Sequence, residues 1–163
     1  PLLDRIRDGY LNLRDDPPFL ERPVQLAILG PLLFLGGFYL PPFRLKAEQT
    51  TELTTEDEGL IIRGKLDVLL MNDEFWVMVI ESKRFSFSAE AGLAQLLSYM
   101  LTTPHPEQPT FGLVTTGGTF LFAKLLKTTT WQYAVSREFA LLNPGNDLYE
   151  VFRILRKLGG GET

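Results

Sequence analysis

A mixed α/β fold is the architecture this sequence predicts, and three observations predict it. The apolar period is helical up to Phe34, switches to alternation after Phe43, and returns to helical at Ala89. Turn signals at Thr54 to Gly59 and at Asn72-Asp73-Glu74 divide the middle of the chain into three consecutive strands. A helical segment then precedes the next strand, which suggests a right-handed crossover and at least one parallel pair. The expected order is αβββαβ, a central mixed β-sheet flanked by helices, with further strands and a closing helix.

The first twenty residues begin as a short helical pattern and end in the breaker Asp15-Asp16-Pro17-Pro18. From Glu21 to Phe34, Val24, Ile28 and Leu32 recur at helical spacing beside Leu29 and Leu33. Pro31 should kink or divide that helix, because it lacks an N–H and its ring meets the preceding turn. Phe43, Leu45 and Ala47 alternate with Arg44, Lys46 and Glu48, the pattern of a half-buried strand. Leu60 to Met71 forms the second strand. Phe75 to Ile80 is aromatic, β-branched and almost unbroken in apolarity, as a central strand should be. Ala89 to Leu101 is helical, with Leu93, Leu96, Leu97 and Met100 on one face. Phe111 to Thr115 and Thr119 to Leu125 are strands around Thr116-Gly117-Gly118, and Trp131 to Leu141 is a further strand. Leu148, Val151, Phe152 and Leu155 mark a last helix that starts near Asn143-Pro144 and stops at Gly159.

With 163 residues the chain is a single domain, large enough for a full core. Sixteen Lys and Arg stand against 20 Asp and Glu, a formal net charge of -4. An acidic chain is a poor general binder of phosphate polyanions, so a nucleic-acid role needs a local basic site or a partner subunit that supplies affinity. There is no cysteine, which excludes disulfides, thiolate metal sites and thiol nucleophiles. The one histidine, His105, lies in a Pro-rich loop and cannot build a His-rich metal site. The longest apolar run, Leu26 to Leu40, is interrupted by Gly30, Pro31, Gly36 and Gly37 and is shorter than the roughly 20 residues of a spanning helix. The expectation is therefore no membrane span and a cytoplasmic location. Oligomeric state is not readable from the sequence.

The informative charges are Asp67 in Gly64-Lys65-Leu66-Asp67-Val68, and Glu81 and Lys83 in Val79-Ile80-Glu81-Ser82-Lys83. Each acid sits at or inside an otherwise apolar strand, where a charge is costly to bury unless paired or bound to a metal. Counting outwards from the turn near Asn72, Asp67 and Glu81 fall on opposing strands and can meet at one end of the sheet. Glu81 and Lys83, two apart, would share a face. Two carboxylates suit a hard cation, Mg2+ or Mn2+, and the Ser82 carbonyl could add an oxygen. Such an ion polarises a phosphoryl oxygen and acidifies water, and Lys83 could orient that water or stabilise developing charge. On the following helix, Gln95 and Tyr99 stand at i and i+4 on one face, from which the leucines and Met100 turn away into the core.

Asp-x13-Glu-x-Lys followed by Gln-x3-Tyr resembles the PD-(D/E)xK nuclease superfamily. More narrowly it is similar to the Gln-x3-Tyr branch, found in RecB-like nucleases and in the nuclease domain of type I restriction enzyme R subunits. Glu21 with Ile28-Leu29-Gly30-Pro31-Leu32-Leu33 resembles the first helix of that domain, and Phe111 to Thr119 resembles its strand–turn–strand signature. The resemblance covers about residues 20–158 and implies a restriction-endonuclease-like core in a single domain, 1–163. It further implies Asp67 and Glu81 as metal ligands, Lys83 as the catalytic lysine, Gln95 and Tyr99 as the supporting helix pair, and Glu21 as a first-helix acid near the metal. The implied substrate is DNA, hydrolysed at its phosphodiesters. Leu66 stands where the name-giving proline would be, and Thr116 where an asparagine is common.

Plainer alternatives accompany these readings. Glu81 and Lys83 could be solvated charges at a strand end, which the apolar run before them opposes. Gln95 and Tyr99 could be an ordinary polar helix face, and Glu21 an ordinary first-turn acid. A catalytically inactive module that binds nucleic acid or a protein partner is the alternative function, and the net charge of -4 favours it.

Overall fold

In the computed structural model, the described residues are 1–14, 24–54, 61–72, 75–82 and 89–160; of these, the side chains of 48–54, 61–66, 75, 77–79, 81–82 and 89–91 are not included. The strands are β1 (Phe43–Thr54), β2 (Ile61–Asn72), β3 (Phe75–Ser82), β4 (Thr110–Thr115), β5 (Thr119–Lys127), β6 (Trp131–Val135) and β7 (Phe139–Ala140). The helices are α1 (Leu2–Arg14), a π-turn (Gln25–Leu29) running into α2 (Gly30–Leu35), α3 (Ala89–Met100) and α4 (Leu148–Leu158). The sheet runs β1-β2-β3-β4-β5-β6, with β7 also paired to β5. Among the described pairings, β3–β4 is parallel and the others are antiparallel. That is the mixed sheet expected of three meandering strands followed by a helical crossover.

Alternation along the strands feeds two cores, one on each face. Leu70, Ile80, Leu113, Phe120 and Phe122 point to one side and pack with α1, the π-turn, α2 and α4. Leu69, Val114, Leu121, Ala123 and Leu125 point to the other and pack with Leu96, Tyr99 and Met100 of α3. Burying one such side chain fully contributes about 1.5–3 kcal/mol, so both layers are needed to hold the sheet. Gly112 allows the second layer to close: a Cβ there would fall 2.7 Å from both Leu96 Cδ2 and Met100 Sδ. Strand β4 thus meets α3 at a point with no side chain between them.

Pro31 does not simply kink its helix. The turn before it is widened, with the Gly30 N–H donating to Gln25 O, five residues back. The widening moves the backbone away from the proline ring, which would otherwise press on the carbonyl of Ala27. The expected helix from Glu21 is described from Val24 onward; Glu21 itself lies outside the described residues.

Three expected boundaries are corrected. The first strand does not end at Glu48 but continues to Thr54, paired to Ile61. Its later half is polar in sequence and is paired to β2 as far as Thr54↔Ile61. Thr54 therefore belongs to the strand, and residues 55–60 of the expected turn lie outside the described residues. The single strand expected over Trp131 to Leu141 is two, β6 and β7, with a one-residue register shift between Ala123↔Val135 and Phe120↔Phe139. Ser136 makes the break: its Oγ accepts from Phe122 N–H at 3.0 Å and donates to the Arg137 carbonyl at 2.7 Å. The last helix starts at Leu148, not at Asn143. Asn146 Oδ1 accepts the Leu148 N–H at 3.1 Å and so ends the loop there. Gly159 closes that helix as expected.

Beyond Asp67, the described pairing of β2 is with β1 alone, through Gln49↔Leu66 to Thr54↔Ile61.

Candidate functional site

The candidate site begins with the register of β2 on β3. Val68 pairs with Ile80, Leu69 with Val79 and Leu70 with Met78. Val68 and Ile80 are the chain neighbours of Asp67 and Glu81, so the same ladder continued by one step would set position 67 across from position 81. A bulge between Leu70 and Met71 resets the alternation, so that Trp76 as well as Leu69 belongs to the α3-side core. Asp67 is two residues from Leu69 on the same strand, which puts it on the α3 face of the sheet. It is half-buried there. On β3, Ile80 belongs to the opposite core, and Glu81 is level with Val114 of the α3-side core. Backbone alternation therefore assigns position 81 to the same face as Asp67. The side chains of Glu81 and Ser82 lie outside the described residues, as do Lys83 and Glu21.

Spacing arguments passed over one acid. Ala47 pairs with Val68 and Gln49 with Leu66, which sets Glu48 across from Asp67 on the other side. Three acids, Glu48, Asp67 and Glu81, thus occupy one row across three neighbouring strands. The register of β1 on β2 could not be counted from sequence, because the connection between them is long. No group of three or more His, Cys, Asp or Glu forms a metal-holding cluster among the described residues, a set that leaves out the side chains of Glu48 and Glu81.

The helix pair is placed differently from the expectation. Tyr99 is not on a polar face opposite the leucines; it is core, 4% exposed, beside Leu96 and Met100. Its ring stacks on Trp76 at 5.1 Å between centroids. The helix face that meets the sheet is Gly92, Leu96, Tyr99 and Met100, so the aromatic ring at 99 completes an i, i+4, i+7 stripe. Burial raises the Tyr99 phenol above its ordinary pKa of 10.0, and it stays a hydrogen-bond donor through the neutral range. Trp76 lies five residues before Glu81 on β3, so the phenol packs at the far end of that strand. Gln95 is half-buried and one turn earlier, displaced about 6 Å along the helix toward the end of β3 that carries Glu81.

The end of β4 beside Glu81 is rigidly built. Thr115 pairs with Ser82 and is fully buried. Thr115 Oγ1 accepts the Gly117 N–H at 2.9 Å, and Thr116 Oγ1 lies 2.8 Å from Thr119 Oγ1. Gly117 takes φ 84°, and Tyr10 of α1 covers the turn, its hydroxyl donating to the Thr116 carbonyl at 3.4 Å. Thr116 thus serves the turn by hydrogen bonds of its own.

No family model matches this chain, and no curated protein matches it. Among solved structures it is similar to a fragment described as "a putative HsdR subunit of a type I restriction enzyme from Vibrio vulnificus YJ016". The identity is 19% and the TM-score 0.48, over 86% of this chain and 26% of that one. The chain therefore spans about a quarter of the length of the structure it resembles.

Proposed function

We propose that the chain is a metal-dependent nuclease that hydrolyses the phosphodiester bonds of DNA. The observation that supports this reading is the register of β2 on β3, in which Val68 pairs with Ile80, the residues next to Asp67 and Glu81. Facing acids on neighbouring strands repel, and like charges directly opposite each other are destabilising. A hard cation removes that cost, and carboxylate oxygens are the donors that Mg2+ or Mn2+ prefers. The residues that would hold it are Asp67 and Glu81, with the Ser82 carbonyl and Glu21 as further oxygen donors. When bound, the ion supplies Lewis-acid polarisation of a phosphoryl oxygen and acidifies water.

The remaining roles belong to the chain's own groups. The Lys83 ammonium donates to the attacking water, fixing its line of approach, or to a phosphate oxygen as charge builds there. Gln95, at the turn of α3 nearer to Glu81, supports Lys83 or a phosphate through its amide. Tyr99 holds the same helix down by stacking on Trp76. A net charge of -4 leaves general affinity for DNA to a partner subunit. The same charge favours the second reading, a module that keeps the fold and binds without cleaving.

The test incubates the protein with plasmid and single-stranded DNA in Mg2+ or Mn2+, beside Asp67→Ala and Lys83→Ala. Metal-dependent cleavage should fall by about a hundredfold or more in each variant. Absence of cleavage in the wild type, or equal cleavage in both variants, would leave only the binding module.

A further inference from the structure

Strand β6 forms the edge of the sheet farthest from β1, and all five of its residues, Trp131-Gln132-Tyr133-Ala134-Val135, are exposed. Trp131 and Tyr133 are two apart on one strand and share a face, with 37% and 62% of their surface in water. Edge strands are ordinarily blunted by charges, and this one contains none. The charge lies one strand inward. Lys127 pairs across from Trp131, and its ammonium is 5.5 Å from the centre of the indole. Lys124 pairs across from Ala134, so alternation sets it on the other face of the sheet from Trp131 and Tyr133, with its ammonium 5.9 Å from the centre of the Phe111 ring.

The local charge is opposite to that of the whole. The chain is acidic, yet no Asp or Glu occurs between Glu107 and Glu138, while Lys124, Lys127 and Arg137 do. Glu107 is turned to His105 Nδ1 at 3.2 Å, and Arg137 is paired with Asp147 at 3.8 Å. Among the described residues, no ion pair involves Lys124 or Lys127.

We propose that this edge binds single-stranded nucleic acid, with bases stacked on Trp131 and Tyr133 and phosphate held by Lys127 on the same face. Exposed aromatics offer a face to any base, and the Lys127 ammonium neutralises the backbone beside them. A duplex keeps its base faces covered by stacking and cannot use the rings. A second copy of the chain, paired edge to edge through β6, is the competing occupant, and it would bring the lysines of both copies toward one joint. The surface is separate from the acid row: Glu81 is level, through Val114, with Leu121 of β5, whereas Trp131 is level with Lys127. Six residues of strand lie between, roughly 20 Å.

The test titrates the intact chain, in EDTA, against fluorescent dT and rU oligonucleotides of about 12 nucleotides, with a duplex of equal length beside them. Without metal the assay is independent of cleavage, so failure of the nuclease reading leaves its outcome untouched. Both single strands should bind saturably and the duplex more weakly. Trp131→Ala or Tyr133→Ala should weaken binding about tenfold, and Trp131→Phe should retain most of it. Lys127→Ala should lower the slope of log affinity on log salt by about 0.7. Circular dichroism of each variant keeps lost folding distinct from lost stacking. No binding, binding equal in the Trp131 and Tyr133 variants, or a dimer in sedimentation that Trp131→Ala dissociates without any oligonucleotide binding, would overturn the proposal.

Discussion

Replacing Gly117 with alanine probes the turn that fixes the end of β4 beside Glu81. Two costs add there. With φ 84° the residue is left-handed, and an L side chain in that region costs about 1–2 kcal/mol. A Cβ would also fall 2.4 Å from Cε2 of Tyr10, whose ring is buried and whose hydroxyl donates to Thr116. Forcing that ring aside in a packed core costs about 1–3 kcal/mol more. The sum, about 2–5 kcal/mol, is a large share of the 5–15 kcal/mol typical of a domain. Gly145 supplies the control: its φ is also 84°, but nothing lies within 4 Å of its Cβ position. Gly145→Ala should therefore cost only the strain, about 1–2 kcal/mol. Combining Gly117→Ala with Tyr10→Leu should cost less than the sum of the two single changes, because the smaller side chain removes the clash. Urea unfolding at equilibrium measures all four proteins. If Gly117→Ala costs no more than Gly145→Ala, or if the double variant is simply additive, the ring does not cover the turn as described.

Other outcomes follow from the same structure. The Ala140 N–H donates to Asp147 at 2.9 Å, and with Asn143 and Arg137 it holds this carboxyl below its ordinary pKa of 3.8. A lowered native pKa gives stability that is present above the ordinary carboxylate range and lost as pH falls through the native value. The stability gap between wild type and Asp147→Asn should thus be greatest near neutrality and shrink below about pH 4, read from melting temperature against pH. Leu113, fully buried in β4, should cost about 2–5 kcal/mol as alanine in urea unfolding. Mg2+ should raise the melting temperature of the wild type, by the equivalent of about 2.7 kcal/mol at a hundred times Kd, and leave Asp67→Asn unmoved. An equal rise in both proteins would place the ion elsewhere. Without metal, Glu48→Gln should stabilise by about 0.5 kcal/mol, since it removes one like charge from the row; a loss of stability would argue against that register.

The order of elements and the β2–β3 hairpin were legible because both depend on local signals. Alternation marks each strand, and the short connection makes β2 and β3 neighbours, so Asp67 and Glu81 could be brought to one end of the sheet; simple counting from Asn72↔Phe75 would set Asp67 across from Ile80, and the bulge at Leu70/Met71 moves that register by one. Glu48 could not be placed, because the longer connection before Ile61 leaves the register of β1 free. The later half of β1, Gln49-Thr50-Thr51-Glu52, is polar at every position and carries no alternation to read. Tyr99 was read as polar from its hydroxyl, although its ring completes the buried stripe of α3. The division of β6 from β7 rests on one serine side chain that bonds the backbone of β5. Trp131 and Tyr133 showed as strand residues, and only the position of β6 at the end of the sheet reveals them as an outward surface.

The meeting of β4 and α3 at Gly112 has a mechanical consequence. A Cβ at that point would fall 2.7 Å from Leu96 and from Met100, so even a methyl group has to lift the helix or turn those two side chains aside. Gln95 directly precedes Leu96 and would travel with it. The bare backbone of one strand residue therefore sets how near that amide is carried to the sheet.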